Sequence, residues 1–156
     1  MVQDAFDSVL KELGSVLKIP DLHLDASQTC LIKFSNGLMV NLEPFEKGDF
    51  MLISTIIAEI PPGRYRESVF REALKENAIS AHHSGIFGLK KRKQELVLFS
   101  LISLREINGE KIAAFLHPYI EKALGWKNAI AGGVVPSADT MRTSQIAPAG
   151  IFGLRP

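Results

Sequence analysis

Three features of this chain have residue types and spacing that could do chemistry: the pair His82-His83, the single cysteine Cys30, and the cationic run Lys90-Lys91-Arg92-Lys93. A histidine pair can ligate a metal or serve as a base. Adjacent side chains point in different directions, however, and neither a cysteine nor an acid stands at ligand-like spacing from them. A solvated loop is the simpler reading. Cys30 with one of these histidines would make a nucleophile–base couple. It falls mid-strand on the apolar face of a hairpin, where a packed thiol is expected instead. His23 and His117 are isolated. The basic run lacks interleaved aromatics and reads as a hairpin turn rather than a phosphate or nucleic-acid contact. No dinucleotide fingerprint, phosphate loop, zinc-protease or nucleophile-elbow pattern occurs. The residues argue for no catalysis, no cofactor and no metal.

The bulk numbers are ordinary for a soluble globular protein. At 156 residues the chain fits one domain with a tail, large enough to hide roughly 70% of its unfolded surface. With 18 basic and 17 acidic residues it has no electrostatic case for nucleic acid or an anionic membrane. One cysteine excludes an internal disulfide framework and fits a reducing compartment. The acidic, amphipathic start is the opposite of a signal peptide. No stretch approaches the roughly 20 apolar residues of a membrane span. A cytoplasmic chain without membrane insertion is expected.

The elements that must position these residues follow from periodicity. Phe6, Val9, Leu10, Leu13, Val16 and Leu17 repeat as one helical face over residues 3–17, closed by Ile19-Pro20; Gly14 marks either close packing or an early end. Residues 29–34 and 38–42 flank Ser35-Asn36-Gly37, whose Asn-Gly supplies positive φ angles for a tight hairpin. Residues 50–60 make a long third strand, apolar on both parities and therefore central. Pro61-Pro62-Gly63 launches a helix over 65–77, with Ala78 to Ser84 read as a soft loop. A short strand from Gly85, the basic turn and a long strand to Leu104 come next. Asn108 caps a last helix, which Pro118 should kink or split near Ala114. From Ala131 the composition turns Gly-, Pro-, Ser- and Thr-rich, a mobile tail. The division is residues 1–130 as the domain and 131–156 as the tail. Helix, three strands, helix, two strands, helix (α-β-β-β-α-β-β-α) is an α+β fold with a mainly antiparallel, twisted sheet.

The strand over 95–104 sharpens this. Leu96, Leu98, Ile102 and Leu104 fall on one face, Val97, Phe99 and Leu101 on the other. Such a strand needs cover on both sides, and a second subunit would supply it.

The ordered series Val9-Leu-Lys-Glu-Leu-Gly14, Ile19-Pro-Asp-Leu22, Thr29-Cys-Leu-Ile-Lys-Phe34, Val40-Asn-Leu-Glu43, Met51-Leu-Ile-Ser54, Ile60-Pro-Pro, Leu74-Lys-Glu-Asn77, the 85–104 block and Trp126-Lys127 resembles the class I type III secretion chaperones of the Tir-chaperone family, over about residues 4 to 130. The resemblance implies a bacterial, virulence-associated homodimer that binds the N-terminal segment of secreted effectors, keeps it non-globular and delivers it for export, with the export ATPase as a further partner. It implies no enzyme. Carried onto this chain, the dimer surface takes Val69, Phe70, Leu74, Ile86, Phe87, Val97 and Phe99. The effector surface takes Leu10, Leu13, Leu17, Leu31, Lys33, Met39 and Asn41. Ordinary core is the alternative role for each. The chain departs from many such chaperones in being near neutral and in its long tail.

A dimeric α+β adaptor for a folded partner is the alternative reading; it would still bind after removal of a client's extended segment. The pentapeptide Gly85-Ile-Phe-Gly-Leu89 recurs as Gly150-Ile-Phe-Gly-Leu154. Chance explains such a match; otherwise the copy competes for the first one's place or plugs the client groove. Substituting His82, His83 or Cys30 is expected to leave partner binding nearly unchanged, and a pull-down with each variant checks it.

Overall fold

The computed structural model describes residues 2–137, apart from the side chains of residues 2–4 and 80–82. Among the described residues the chain forms helix α1 (Val2–Leu17), strands β1 (Cys30–Lys33), β2 (Met39–Phe45) and β3 (Phe50–Glu59), helix α2 (Arg64–Ser84), strands β4 (Ile86–Lys90) and β5 (Glu95–Ser103), and helix α3 (Gly109–Ala131). The order is the one expected. All strand pairings are antiparallel, and the five strands lie in the order β1-β2-β3-β5-β4. β3 is central, as its two apolar parities require, and β1 and β4 are the edges.

Strand alternation decides which residues enter the core. Cys30 and Ile32 from β1, Val40 and Leu42 from β2, Met51, Ile53 and Ile57 from β3, and Leu96 and Leu98 from β5 are buried. A bulge between Ile56 and Ala58 shifts the register of β3 against β5. Helix α3 lies on this face: its Ile112, Leu116, Tyr119, Ala123 and Trp126 are buried, and the Tyr119 hydroxyl donates to the Leu98 carbonyl at 2.8 Å. Burial drives the Tyr119 phenol far above its usual range, so it stays a neutral donor. α1 and α2 pack on either side of α3.

The hairpin turn is built differently from the expectation. Only Gly37 takes positive φ (+84°). Its N–H donates to the Phe34 carbonyl at 2.9 Å, while the Asn36 side chain accepts from the Leu38 N–H at 3.0 Å. This is a turn closed by one left-handed glycine rather than the two-residue turn that needs two such residues. The soft loop expected over Ala78 to Ser84 is instead the last part of α2. Its final turn is held by Lys122, whose amine bonds Ser84 Oγ and the Gly85 carbonyl at 3.3 and 3.1 Å, a cation at a helix C-terminus. Pro118 does not split α3, which runs as one helix. The acceptor it leaves unmatched belongs to Ala114, which is exposed, so water can take it. Asn108 caps α3 as read, accepting from the Lys111 N–H at 2.9 Å.

Two glycines mark close approach. A Cβ on Gly14 would lie 2.9 Å from the Ile19 carbonyl oxygen, so close packing is the reason for that residue. At Gly109 a Cβ would lie 2.5 Å from the backbone of Glu12 and Leu13, and the Gly109 N–H donates to Glu12 Oε2 at 2.9 Å. Backbone cannot give way as a flexible side chain can. Gly109→Ala should therefore destabilise the fold by about 1–3 kcal/mol, read as a lowered urea midpoint; an unchanged midpoint would show that α1 and α3 do not meet here.

Candidate peptide-binding surface

With the helices on one face, no described element covers the other face of the sheet. Registry sets its layout. Leu31, Asn41, Ser54, Phe99 and Ile86 form one cross-strand row, Glu43, Leu52 and Leu101 a second, and Ile56, Val97 and Gly88 a third. Large apolar side chains stand exposed on this face: Leu31 is 59% exposed, Met39 50%, Ile56 46% and Leu101 44%. They line a groove of about 800 Å³ with Phe45 and Leu52 in its wall, and Lys90, Lys127 and Glu43 as its charged members. Phe99 lies over Gly88, where an added Cβ would come within 3.1 Å of the ring. Such an apolar strip with main-chain groups at its edge suits an extended peptide.

A second apolar surface lies between α2 and β4. Phe70, Ala73, Leu74, Asn77, Phe87, Leu89 and Leu96 surround a cleft of about 140 Å³, with Leu74 69% exposed. Asn77 closes the β4 edge: its side chain accepts from the Phe87 N–H at 2.8 Å and donates to the Phe87 carbonyl at 3.0 Å. Phe87 itself packs on Trp126, ring centroids 4.1 Å apart, with the Lys122 ammonium 5.1 Å from its ring centre. Burial lowers the Lys122 pKa, and Glu76 at 3.4 Å opposes that shift.

The residues first considered for catalysis are not assembled. Cys30 is buried in the core, and burial pushes its thiol up, with a smaller contribution from Asp25. His83 is exposed and the side chain of His82 lies outside the described residues. Among the described residues no cluster of His, Cys, Asp and Glu could hold a metal ion, and no helix is long and apolar enough to cross a membrane.

The sequence matches the Tir chaperone protein (CesT) family over residues 8–127. The chain belongs to the Tir chaperone (CesT) family. Its fold agrees. A chain of the ExsC–ExsE complex superposes with TM-score 0.66 at 18% identity, covering 87% of this chain and 97% of that one. A chain of the HopA1–SchA chaperone–effector complex gives 0.65 at 16% identity, over 80% and 94%. A chain from the Yersinia pestis type III secretion chaperone SycH, in complex with a stable fragment of YscM2, gives 0.59 at 16% identity, over 76% and 97%. No curated protein sequence matches significantly. The chain is thus a member of a chaperone family with the fold of these structures.

Within the chaperone, the residues expected at the effector surface divide. Leu31, Lys33, Met39 and Asn41 share the open sheet face, with Lys33 opposite Met39 at its margin. Leu10 and Leu13 are wholly buried, because the apolar face of α1 is spent on the core beside α3; they offer no surface, and Leu17 is half-buried against that core. The dimer set also divides. Phe70 and Leu74 border the α2–β4 cleft, while Val69 and Phe87 are core residues. Ile86, Val97 and Phe99 belong by register to the open face, beside Leu31 and Asn41. Sequence reasoning missed Ile56, Leu101, Lys90 and Lys127 as groove residues. For Ile56 and Leu101 the signal was present in the two-sided apolarity of β3 and β5, read as a central position for β3 and as cover by a second subunit for β5. The repeated segment 150–154 lies outside the described residues.

Asn77→Ala leaves the half-buried Phe87 N–H and carbonyl without partners and should cost about 1–3 kcal/mol. Lys75→Ala on the same helix removes an exposed pair with Glu72 and should change stability by less than about 0.5 kcal/mol. Urea unfolding of the two variants side by side checks the contrast.

Proposed function

We propose that this chaperone takes the N-terminal, non-globular segment of its effector along the open face of the sheet. The observation that carries the reading is the uncovered apolar face itself, with three helices packed on the opposite side and an 800 Å³ groove between charged rims. An extended segment can seat alternate side chains among Leu31, Met39, Ile56, Phe99 and Leu101, and can add its backbone to a free sheet edge. β1 is the better edge for that addition, because Asn77 and Lys122 occupy backbone groups at β4. An unfolded client pays its ordering cost on binding, which keeps the complex releasable.

The finer statements belong to the same proposal. The protein works in the cytoplasm, without catalysis, with residues 1–130 as the folded unit, and passes its client to the export ATPase. It acts as a homodimer through the α2–β4 surface, where Phe70, Leu74 and Leu89 stand beside an incompletely filled cleft. A two-fold dimer would present two grooves to one client.

The test is co-expression with the N-terminal segment of a secreted effector from the same cell. The wild type should co-purify with that segment and elute as a dimer. Leu101→Glu places a charge in the groove and should weaken the complex at least about tenfold, leaving the dimer intact. Leu74→Glu should shift the protein toward monomer. Undiminished co-purification by the Leu101 variant would remove the sheet face as the site.

A further inference from the structure

The recurring pentapeptide has a defined conformation at its first occurrence. Ile86, Phe87, Gly88 and Leu89 pair with Phe99, Leu98, Val97 and Leu96 of β5, and the basic Lys90 follows them. The second copy, Gly150-Ile-Phe-Gly-Leu154, is likewise followed by a basic residue, Arg155. From Thr143 to Leu154 the sequence carries no charged side chain. Such a segment can run as a strand along this sheet wherever an edge is open to it.

The two edges differ in what they offer. At β4 the Phe87 N–H and carbonyl are both held by Asn77. At β1 the register shows which main-chain groups face outward. Opposed residues of an antiparallel pair alternate between those that exchange hydrogen bonds and those whose N–H and carbonyl point away. The Phe34 N–H donates to the Leu38 carbonyl at 2.9 Å, so Ile32 and Val40, next but one in the register, also exchange bonds. Lys33 and Leu31 therefore face away from β2. Thr29 continues that outward series, and there Asp25 meets it: its N–H donates to the Thr29 carbonyl at 2.8 Å, and its Oδ1 accepts from the Thr29 N–H at 3.0 Å. Leu31 and Lys33 have no such partner among the described residues, and both side chains are exposed.

The described chain ends within reach of this edge. The Tyr65 hydroxyl donates to the Val134 carbonyl at 2.8 Å, and Pro136 is buried. Tyr65 stands at the start of α2, just past the end of β3, where the Ile60 N–H bonds the Gln94 carbonyl and Arg66 bonds Gln94 Oε1. From β3 to β1 is two strand spacings, about 10 Å. Residues 138–149, drawn out, would span on the order of 40 Å. A tether of this length gives the copy an effective concentration on the order of millimolar at β1. A contact too weak to form between separate molecules is populated within one chain.

We propose that Gly150–Leu154 adds as a further strand to β1 of its own chain, exchanging main-chain hydrogen bonds with Leu31 and Lys33. Phe152 and Leu154, set opposite those two residues, then fall on the open face beside Leu31, with Gly153 between them turned the other way. The added strand closes an edge that would otherwise be a template for association. The docking itself needs no client. Its consequence rests on the reading that a client adds its backbone to β1: tail and client then compete for one edge, and the client's affinity falls by the factor to which the tail protects it.

Amide hydrogen exchange of the full-length protein, followed by NMR, reads the edge directly. The Leu31 and Lys33 amides should exchange about three- to tenfold more slowly in the wild type than in Phe152→Asp. Met141→Asp places the same charge outside the copy and should leave them protected, with circular dichroism showing one fold for all three proteins. Equal exchange in the wild type and Phe152→Asp, or equal loss of protection in both variants, overturns the inference. So does protection that grows with protein concentration, which would assign the contact to a second copy's tail. Phe152→Asp should also hold the effector segment that co-purifies with the wild type more tightly, by the same factor as the protection lost. Lost protection with unchanged effector affinity keeps the tail on β1 and removes that edge as the client's. Equal exchange, with effector binding that Leu101→Glu weakens, removes the tail contact and keeps the sheet face as the client site.

Discussion

A β-strand has two faces, and three helices on one side of a five-stranded sheet leave the other side to solvent. That arithmetic governs this molecule. The alternation in β3 and β5 makes both parities apolar, so the residues not claimed by α1, α2 and α3 find no cover among the described residues. Leu31, Met39, Ile56 and Leu101 are exposed for this reason and not through any local failure of packing. On the covered face Phe87 packs on Trp126 and the Tyr119 hydroxyl donates to the Leu98 carbonyl, which ties β4 and β5 to α3. The open face is positioned by what lies behind it.

Much of the fold was legible in the sequence because strands and hairpins announce themselves locally. The β1–β2 hairpin came from Asn36-Gly37, the central place of β3 from its double apolarity, and the start of α3 from Asn108. The extension of α2 to Ser84 was not legible. Its last turn depends on Lys122, a residue 38 positions downstream that reaches Ser84, and local propensity carries no sign of such a partner. Pro118 misled for the opposite reason: a local rule favoured a break that the exposure of Ala114 makes unnecessary.

The site was legible by parts. The resemblance put Leu31, Lys33, Met39 and Asn41 on one surface, and the structure has all four on the open face of the sheet. Helical periodicity identified Leu10 and Leu13 as a surface that must be buried, but could not say against what; α3 takes them. The same ambiguity attends Val97 and Phe99, which the register puts on the open face, since an apolar parity records a demand for cover without naming its source. Asn77 carried no period at all. Its role follows only once β4 is known to be a sheet edge whose Phe87 backbone needs a partner.

The contact between Gly109 and Glu12 joins residues 97 positions apart, and that separation has a consequence for synthesis. As the chain leaves the ribosome, α1 is made first, yet the surface that receives Leu10 and Leu13 is the last helix made. At bacterial elongation rates of about 5–20 residues per second, α1 waits several seconds with its apolar stripe unsatisfied. The strands between must close long loops before the wait ends, which places this fold among the slower, high-contact-order topologies. A member of a chaperone family thus passes through an interval in which its own first helix lacks the cover it will later have.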